Sequence, residues 1–209
     1  LEGLRITNLI LESKPNDKEA VKLAYELYWY LEEFDKALEY VNKSIELDPF
    51  YGVNNRYVAR ASLLYDQFNK KEEALSDYNT AVELEPDNDE VYYQRALFYN
   101  KEEEWELALL DYQKTLELDP EDEYNFFNVA FAFNELGRYD QALSTYLQQI
   151  ERFGEDATVY NNMALIYKND LEDYEKALEY FNKAIDLEPE DKLYYRNRAN
   201  LLYDQFNKK

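Results

Sequence analysis

The chain has 209 residues, 45 Asp+Glu against 23 Lys+Arg for a formal net charge of −22, and neither cysteine nor histidine. Those absences exclude disulfides, thiol nucleophiles, Ser-His-Asp triads and nearly every zinc or haem site, so no metal or cofactor is expected, and a field of that sign repels nucleic acid. Hydrophobic residues at 46% and aromatics at 17%, with 22 tyrosines, are too many for an acidic disordered segment, so the chain is expected to fold. The glycines, Gly3, Gly52, Gly137 and Gly154, form no phosphate-cradling motif. No apolar run is long enough to predict a membrane span, and nothing resembles a signal peptide. The first residue is Leu1, not Met, so nothing about compartment follows from that missing leader.

Residues 1–15 read as one helix closing at Pro15. Five units follow, at 18–49, 54–86, 89–120, 123–154 and 157–189, and 191–209 complete the chain. The period shows first in Phe34–Tyr40, which returns as Tyr174–Tyr180; both segments run on to an acidic residue and proline, at Pro49 and Pro189. Pro86, Pro120 and Gly154 stand at the same place in the other units, giving gaps of 37, 34, 34 and 35, and Ala37, Ala74, Ala108, Ala142 and Ala177 keep those gaps. Each unit predicts two helices. The first carries a bulky, a small and a bulky residue at i, i+4, i+7, as in Tyr57/Ala61/Leu64, Tyr92/Ala96/Tyr99, Phe126/Ala130/Phe133, Tyr160/Ala164/Tyr167 and Tyr195/Ala199/Leu202. The second sets its alanine four residues before Val41, Tyr78, Tyr112, Tyr146 or Phe181. Small residues on both helices permit close approach, aromatics fill the space around them, and the proline stops the second helix.

Departures are local. Tyr25 stands where the first helix of 18–49 should be small, predicting looser or shifted packing. Unit 54–86 has two extra residues before it, around Phe50-Tyr51-Gly52, and one in its inner turn; unit 157–189 has one extra near Asp170. Arg60–Lys71 reappears as residues 198–209 with one change, Ser62 to Asn200, which suggests a duplicated block.

The unit resembles the tetratricopeptide repeat, a helix-turn-helix unit of about 34 residues. That resemblance covers essentially the whole chain. It implies an all-α solenoid of about twelve stacked antiparallel helices in a right-handed superhelix, one domain over 1–209. Residues 1–15 would be a second helix lacking its first, residues 191–209 a first helix lacking its second, and the chain a slice of a longer array.

The resemblance also implies a concave surface lined by first helices, and a protein–protein interaction scaffold holding a protein or peptide there. The stripe left over from packing within each unit is Glu90/Tyr93/Leu97/Asn100, Tyr124/Phe127/Phe131/Asn134, Thr158/Asn161/Leu165/Lys168 and Leu193/Arg196/Asn200/Tyr203. It is apolar in the middle and amide-rich at its edge. Gln94, Asn128, Asn162 and Asn197 stand two residues before successive alanines; each amide can both donate to and accept from an extended backbone. The expected surface is therefore Tyr93, Gln94, Leu97, Tyr124, Phe127, Asn128, Phe131, Asn134, Asn161, Asn162, Leu165, Arg196 and Asn197. The dull reading is that these rings and amides pack on the neighbouring first helix. A net charge of −22 favours a neutral or basic partner. The family's carboxylate clamp is not met, because Lys22 is followed by Glu26 where asparagine is needed, and Arg196/Asn200 has no following repeat.

Asp87–Glu90 and Asp119–Glu123 lack the spacing of calcium loops and read as helix caps, and the sequon at Asn42-Lys43-Ser44 falls mid-helix. No catalytic residue is expected. Two other readings stay open: the targeting arm of a larger enzyme, or a self-association module. In the latter, Leu4, Leu9, Ile10 and Leu11 at one end would meet Tyr195, Ala199 and Leu202 at the other, head to tail.

Overall fold

An acidic or amide side chain just ahead of a helix can accept from its unpaired first-turn amides, and a residue in the left-handed region can end one. Both devices recur along this chain. The structure, a computed structural model, describes residues 2–48 and 56–207. Among them are twelve helices and no strand: α1 Glu2–Ser13, α2 Lys18–Tyr30, α3 Phe34–Leu47, α4 Arg56–Asp66, α5 Lys71–Leu84, α6 Asp89–Lys101, α7 Trp105–Leu118, α8 Glu123–Glu135, α9 Tyr139–Phe153, α10 Ala157–Asn169, α11 Tyr174–Leu187 and α12 Lys192–Asn207. Pro49, the extra residues around Phe50-Tyr51-Gly52, and Lys208 and Lys209 lie outside the described residues.

Asp17, Asp122, Asp156 and Asp173 each accept from a first-turn amide, of Ala20, Tyr124, Val159 and Lys176, at 2.8–3.1 Å. Asn88 accepts likewise from the amide of Glu90 at 3.1 Å, and Asp119 accepts from the amide of Glu121 at 3.1 Å in the turn between α7 and α8. Within the two acidic clusters, Asn88 and Asp122 are therefore caps and Asp119 closes a turn.

The inner turns share one closure. In three of them the amide N–H of Glu33, Glu104 or Arg138 donates to the carbonyl of Tyr28, Tyr99 or Phe133, five residues back, at 2.9 Å. The two turns with an extra residue close six back: Lys70 to Leu64 at 2.9 Å and Asp173 to Tyr167 at 2.8 Å. In every case the residue before the donor has positive φ: Glu32 59°, Asn69 52°, Glu103 58°, Gly137 68° and Glu172 52°. Only Gly137 adopts that region without a side-chain penalty. An insertion is thus absorbed in a longer hydrogen-bonded ring while the turn keeps its left-handed stop.

Internal contacts divide the chain into two compact units, Leu1–Phe98 and Tyr99–Lys209. In the first, α2 pairs with α3 and α4 with α5, while α1 packs on α2 and α3 on α4. In the second, α8 pairs with α9 and α10 with α11, with α7 on α8 and α11 on α12. The repeated alanines Ala37, Ala74, Ala108, Ala142 and Ala177 are all fully buried, as are or nearly are Val41, Tyr78, Tyr112, Tyr146 and Phe181. The result is an all-α solenoid of helix pairs.

Polar ties lock several seams. Arg60 donates to Asn42 at 2.9 Å, Arg95 to Asn79 at 2.8 Å and Arg198 to Asn182 at 2.7 Å, each tying a first helix to the preceding second helix. Each guanidinium also lies over the tyrosine three residues before it, at 5.7, 5.9 and 5.4 Å. Where the matching residue is Val129 or Met163, the seam is apolar and buried. Tyr28 stacks on Tyr40 with Lys36 over the Tyr28 ring, and Tyr167 on Tyr180 with Lys176 over the Tyr167 ring, so α2/α3 and α10/α11 repeat one aromatic arrangement.

At the chain's first helix one expectation changes. Leu11 is buried and Leu4 packs on the core around Val21 and Ala24, because Thr7, Leu11 and Leu4 lie on the side of α1 that meets α2. The bare apolar residues of α1 are Ile6, Leu9 and Ile10.

Candidate functional site

Helical spacing puts Tyr124, Phe127, Asn128, Phe131 and Asn134 on one stripe of α8. Tyr124 is 68% exposed. Phe127 and Phe131 are half-buried: the edge of one ring meets Tyr146 of α9 at 5.9 Å between centroids, and that of the other meets Trp105 of α7 at 5.8 Å. Both rings keep part of their surface exposed. Asn128 is half-buried with no side-chain hydrogen bond among the described residues, and Asn134 donates to Glu135 at 3.1 Å while its Oδ1 is buried without a partner.

On α10 and α12 the expected residues meet each other instead. Asn197 donates to Asn161 Oδ1 at 2.8 Å; Asn161 in turn points to Asn162, and Asn162 to the Tyr146 hydroxyl, each at 3.5 Å. Two further ties flank this chain, Thr158 to Tyr194 at 3.4 Å and Lys168 to Asp204 at 3.1 Å. These three links between α10 and α12 join residues 36 positions apart. Leu165 packs toward Phe181 and Leu201, Asn161 is buried, and Arg196 is exposed. Burial pushes the Tyr146 phenol up to about 12, the Asn162 amide opposing that rise.

Tyr93, Gln94 and Leu97 belong to the other unit, where all three are half-buried on α6 and Gln94 donates to Glu90 at 2.7 Å. That unit also holds a pocket of about 490 Å³, which the sequence reading missed. Lys22, Tyr25 and Glu26 of α2, Val41 and Ser44 of α3, Arg56, Val58 and Ala59 of α4, and Asn88, Glu90 and Val91 line it. The available signal was Tyr25. Ala24 takes the fully buried place, and Tyr25 turns its ring edge to Trp29 at 6.1 Å and lines the opening. Burial, with the Glu26 carboxylate adding to it, pushes its phenol up to about 12. Arg56 is spent on backbone, donating to the carbonyls of Ser44 at 3.0 Å and Asp48 at 2.6 Å.

Among the described residues no group of acidic side chains is arranged to hold a metal ion, and no helix is long and apolar enough to cross a membrane. What the molecule offers is surface: aromatic rings, amides and a pocket.

Comparison with curated proteins found no match. Three family profiles do match, two described as tetratricopeptide repeat, at 121–190 and 21–51, and one as TPR repeat, at 63–102. Among solved structures, YrrB, "a TPR protein with an unusual peptide-binding site", is 25% identical, with a TM-score of 0.72 over 92% of this chain and 97% of its own. The C-terminal part of a TPR repeat-containing protein from Cytophaga hutchinsonii is 17% identical, with a TM-score of 0.78 over 88% of this chain and 72% of its own. MamA from Desulfovibrio magneticus is 14% identical, with a TM-score of 0.70 over 84% and 98%. With the period, the helix pairs and three matches that together span well over half its length, the chain belongs to the tetratricopeptide repeat family and is a protein-interaction scaffold.

Proposed function

We propose that the scaffold holds an extended, neutral or basic peptide along α8 and onto α10. Tyr124, Phe127 and Phe131 take its apolar side chains, while Asn128 pairs with its backbone and Asn134 stands at the end of the stripe. One observation carries this reading. The stripe with the exposed Tyr124 ring also carries Asn128, half-buried and without a side-chain hydrogen bond among the described residues. Such an amide can both donate to and accept from an extended backbone laid against it. Successive amides on α10 and α12 are already bonded to one another, which concentrates backbone recognition on α8. Glu123 and Glu135 are exposed at the two ends of that helix, and with the net charge of −22 they favour a basic or neutral occupant. A peptide-binding site is also what the name of the YrrB structure records for that protein.

The test begins with a displayed library of random dodecapeptides selected on the 209-residue chain, after which one selected peptide is titrated by calorimetry. Phe127→Ala is expected to weaken binding about tenfold or more, because rigid aromatic anchors dominate such contacts, and Asn128→Ala about fivefold for one lost hydrogen bond. Leu147→Ala, on the exposed side of α9, should leave the affinity unchanged. Wild-type affinity in both α8 variants, with helix content intact, overturns the assignment.

A further inference from the structure

The pocket of about 490 Å³ within Leu1–Phe98 has the size of a small-ligand site, and its lining differs in kind from the α8 stripe. By the spacing of the repeat, Glu26 stands where later units carry Leu97, Phe131 and Leu165. A place that is apolar on α8 is thus a carboxylate on α2. Much of the remaining lining is apolar: Val41 and Val91 are fully buried or nearly so, and Val58, Ala59 and the Tyr25 ring are half-buried. Two exposed carboxylates from different helices complete it, Glu26 of α2 and Glu90 of α6.

The charged groups differ in what they can still do. Arg56 is directed at the carbonyls of Ser44 and Asp48, at the end of α3. Lys22 faces Glu26 across 3.8 Å, a long and part-exposed pair of the kind that contributes little. Glu90 accepts from the Gln94 amide at 2.7 Å and, as a carboxylate, has further acceptor capacity. An entering anion therefore meets one cation that already faces a carboxylate. An entering cation meets two carboxylates, in a chain whose net charge is −22. The ligand that fits both parts of the lining joins an apolar stem to a cationic head. Arginine does so: its methylenes lie along apolar surface while the head stays near water, and its planar fork pairs with carboxylates in a way an ammonium does not.

We propose that this pocket binds an arginine side chain of a peptide partner, with the stem against Val58 and Ala59 and the guanidinium at the carboxylates of Glu26 and Glu90. The site is separate from the α8 stripe and does not depend on it.

The test is an amide chemical-shift titration of the isotope-labelled 209-residue chain with the capped tripeptide acetyl-Ala-Arg-Ala-amide, at about 0.15 M salt to screen general attraction. Saturable shifts are expected at Ala59 and Val91, with a dissociation constant below about 1 mM. Citrulline in place of arginine keeps the shape without the charge, and diaminopropionate keeps a charge without most of the stem; each should weaken binding about tenfold or more. Glu26→Gln and Glu90→Gln, both at exposed positions, should each weaken it about fivefold. Phe127→Ala should bind the tripeptide as wild type does, which separates a failure here from a failure of the α8 assignment. Equal affinity for the citrulline peptide overturns the proposal, as does wild-type affinity in both glutamine variants. Equal affinity for the diaminopropionate peptide also overturns it and shows attraction to an acidic surface alone. No saturable shift at Ala59 and Val91, or tighter binding of acetyl-Ala-Glu-Ala-amide, overturns it as well, the latter giving the pocket to Lys22 and an anion.

Discussion

Helices α4 and α12 share a sequence and differ in burial. On one side they agree: Leu63 and its counterpart Leu201 are both buried, and Arg60 and Arg198 make the same bond to Asn42 and Asn182 across the seam to the preceding helix. On the other side they part. Leu64 is 4% exposed and Ala61 not at all, because α5 covers them, whereas Leu202 is 43% exposed and Ala199 is open. Arg60 also gains Asp77 from α5, in a two-pronged ion pair at 2.6 and 2.7 Å, while Arg198 has no acidic partner among the described residues. Burial in a solenoid is therefore set by the neighbour in the stack, and identical residues contribute differently according to whether that neighbour is present.

Matched substitutions in the two helices should break this symmetry most strongly at the leucines. Leu64→Ala should destabilise by about 3 kcal/mol in urea unfolding followed by circular dichroism, through lost burial and the cavity left behind. Leu202→Ala, already in water, should change stability by less than about 0.5 kcal/mol at concentrations where the chain is monomeric.

Next come the arginines. Arg60→Ala strands the buried carboxylate of Asp77 and should cost about 2 kcal/mol, the full penalty for a broken buried pair being reduced because the guanidinium end is partly solvated. Arg198→Ala removes one neutral-acceptor bond and a ring contact and should cost about 1 kcal/mol. A double-mutant cycle of Arg60 with Asp77 should show coupling that has no counterpart at Arg198.

Alkaline pH offers a third comparison. The phenols of Tyr25 and Tyr146 are held up at about 12 in the folded protein, against about 10 when unfolded. A raised folded value means that the folded state binds more protons between pH 10 and 12. Their contribution is thus fully present below pH 10 and is lost as pH rises to 12. Tyr25→Phe should flatten part of that decline while leaving stability at neutral pH nearly unchanged, as urea midpoints across the range would show.

The smallest effect concerns the single difference between the twin segments. Ser62 shares a hydrogen bond with the Tyr78 hydroxyl of α5 at 3.1 Å, and Ser62→Asn should cost about 1 kcal/mol or less by displacing it. The reverse change, Asn200→Ser, lies in water and should be neutral by the same urea unfolding.

The same distinction explains what could be read from the sequence. Helix ends, inner turns and the small-residue seams depend on residues within one unit, and the alanine and proline spacing located them. Tyr25 was visible as an anomaly, but not the pocket it lines, whose wall comes from three successive units. Asn128 and Asn162 look equivalent along the chain; only the neighbouring helices reveal that one has no partner among the described residues while the other contacts Tyr146. Likewise Leu4 and Leu11 could not be told from Ile6 and Ile10 until α2 chose a side of α1.

The central claim, that α8 presents the binding surface, is tested most directly by photocrosslinking. A benzophenone side chain is placed in turn at Tyr124 on α8, Leu110 on α7 and Leu147 on α9, all exposed, and each protein is irradiated with a peptide selected on the wild-type chain. The account predicts a peptide adduct at position 124 and none at 110 or 147. Adducts at 110 or 147 with position 124 silent would contradict it and move the binding surface to the second helices.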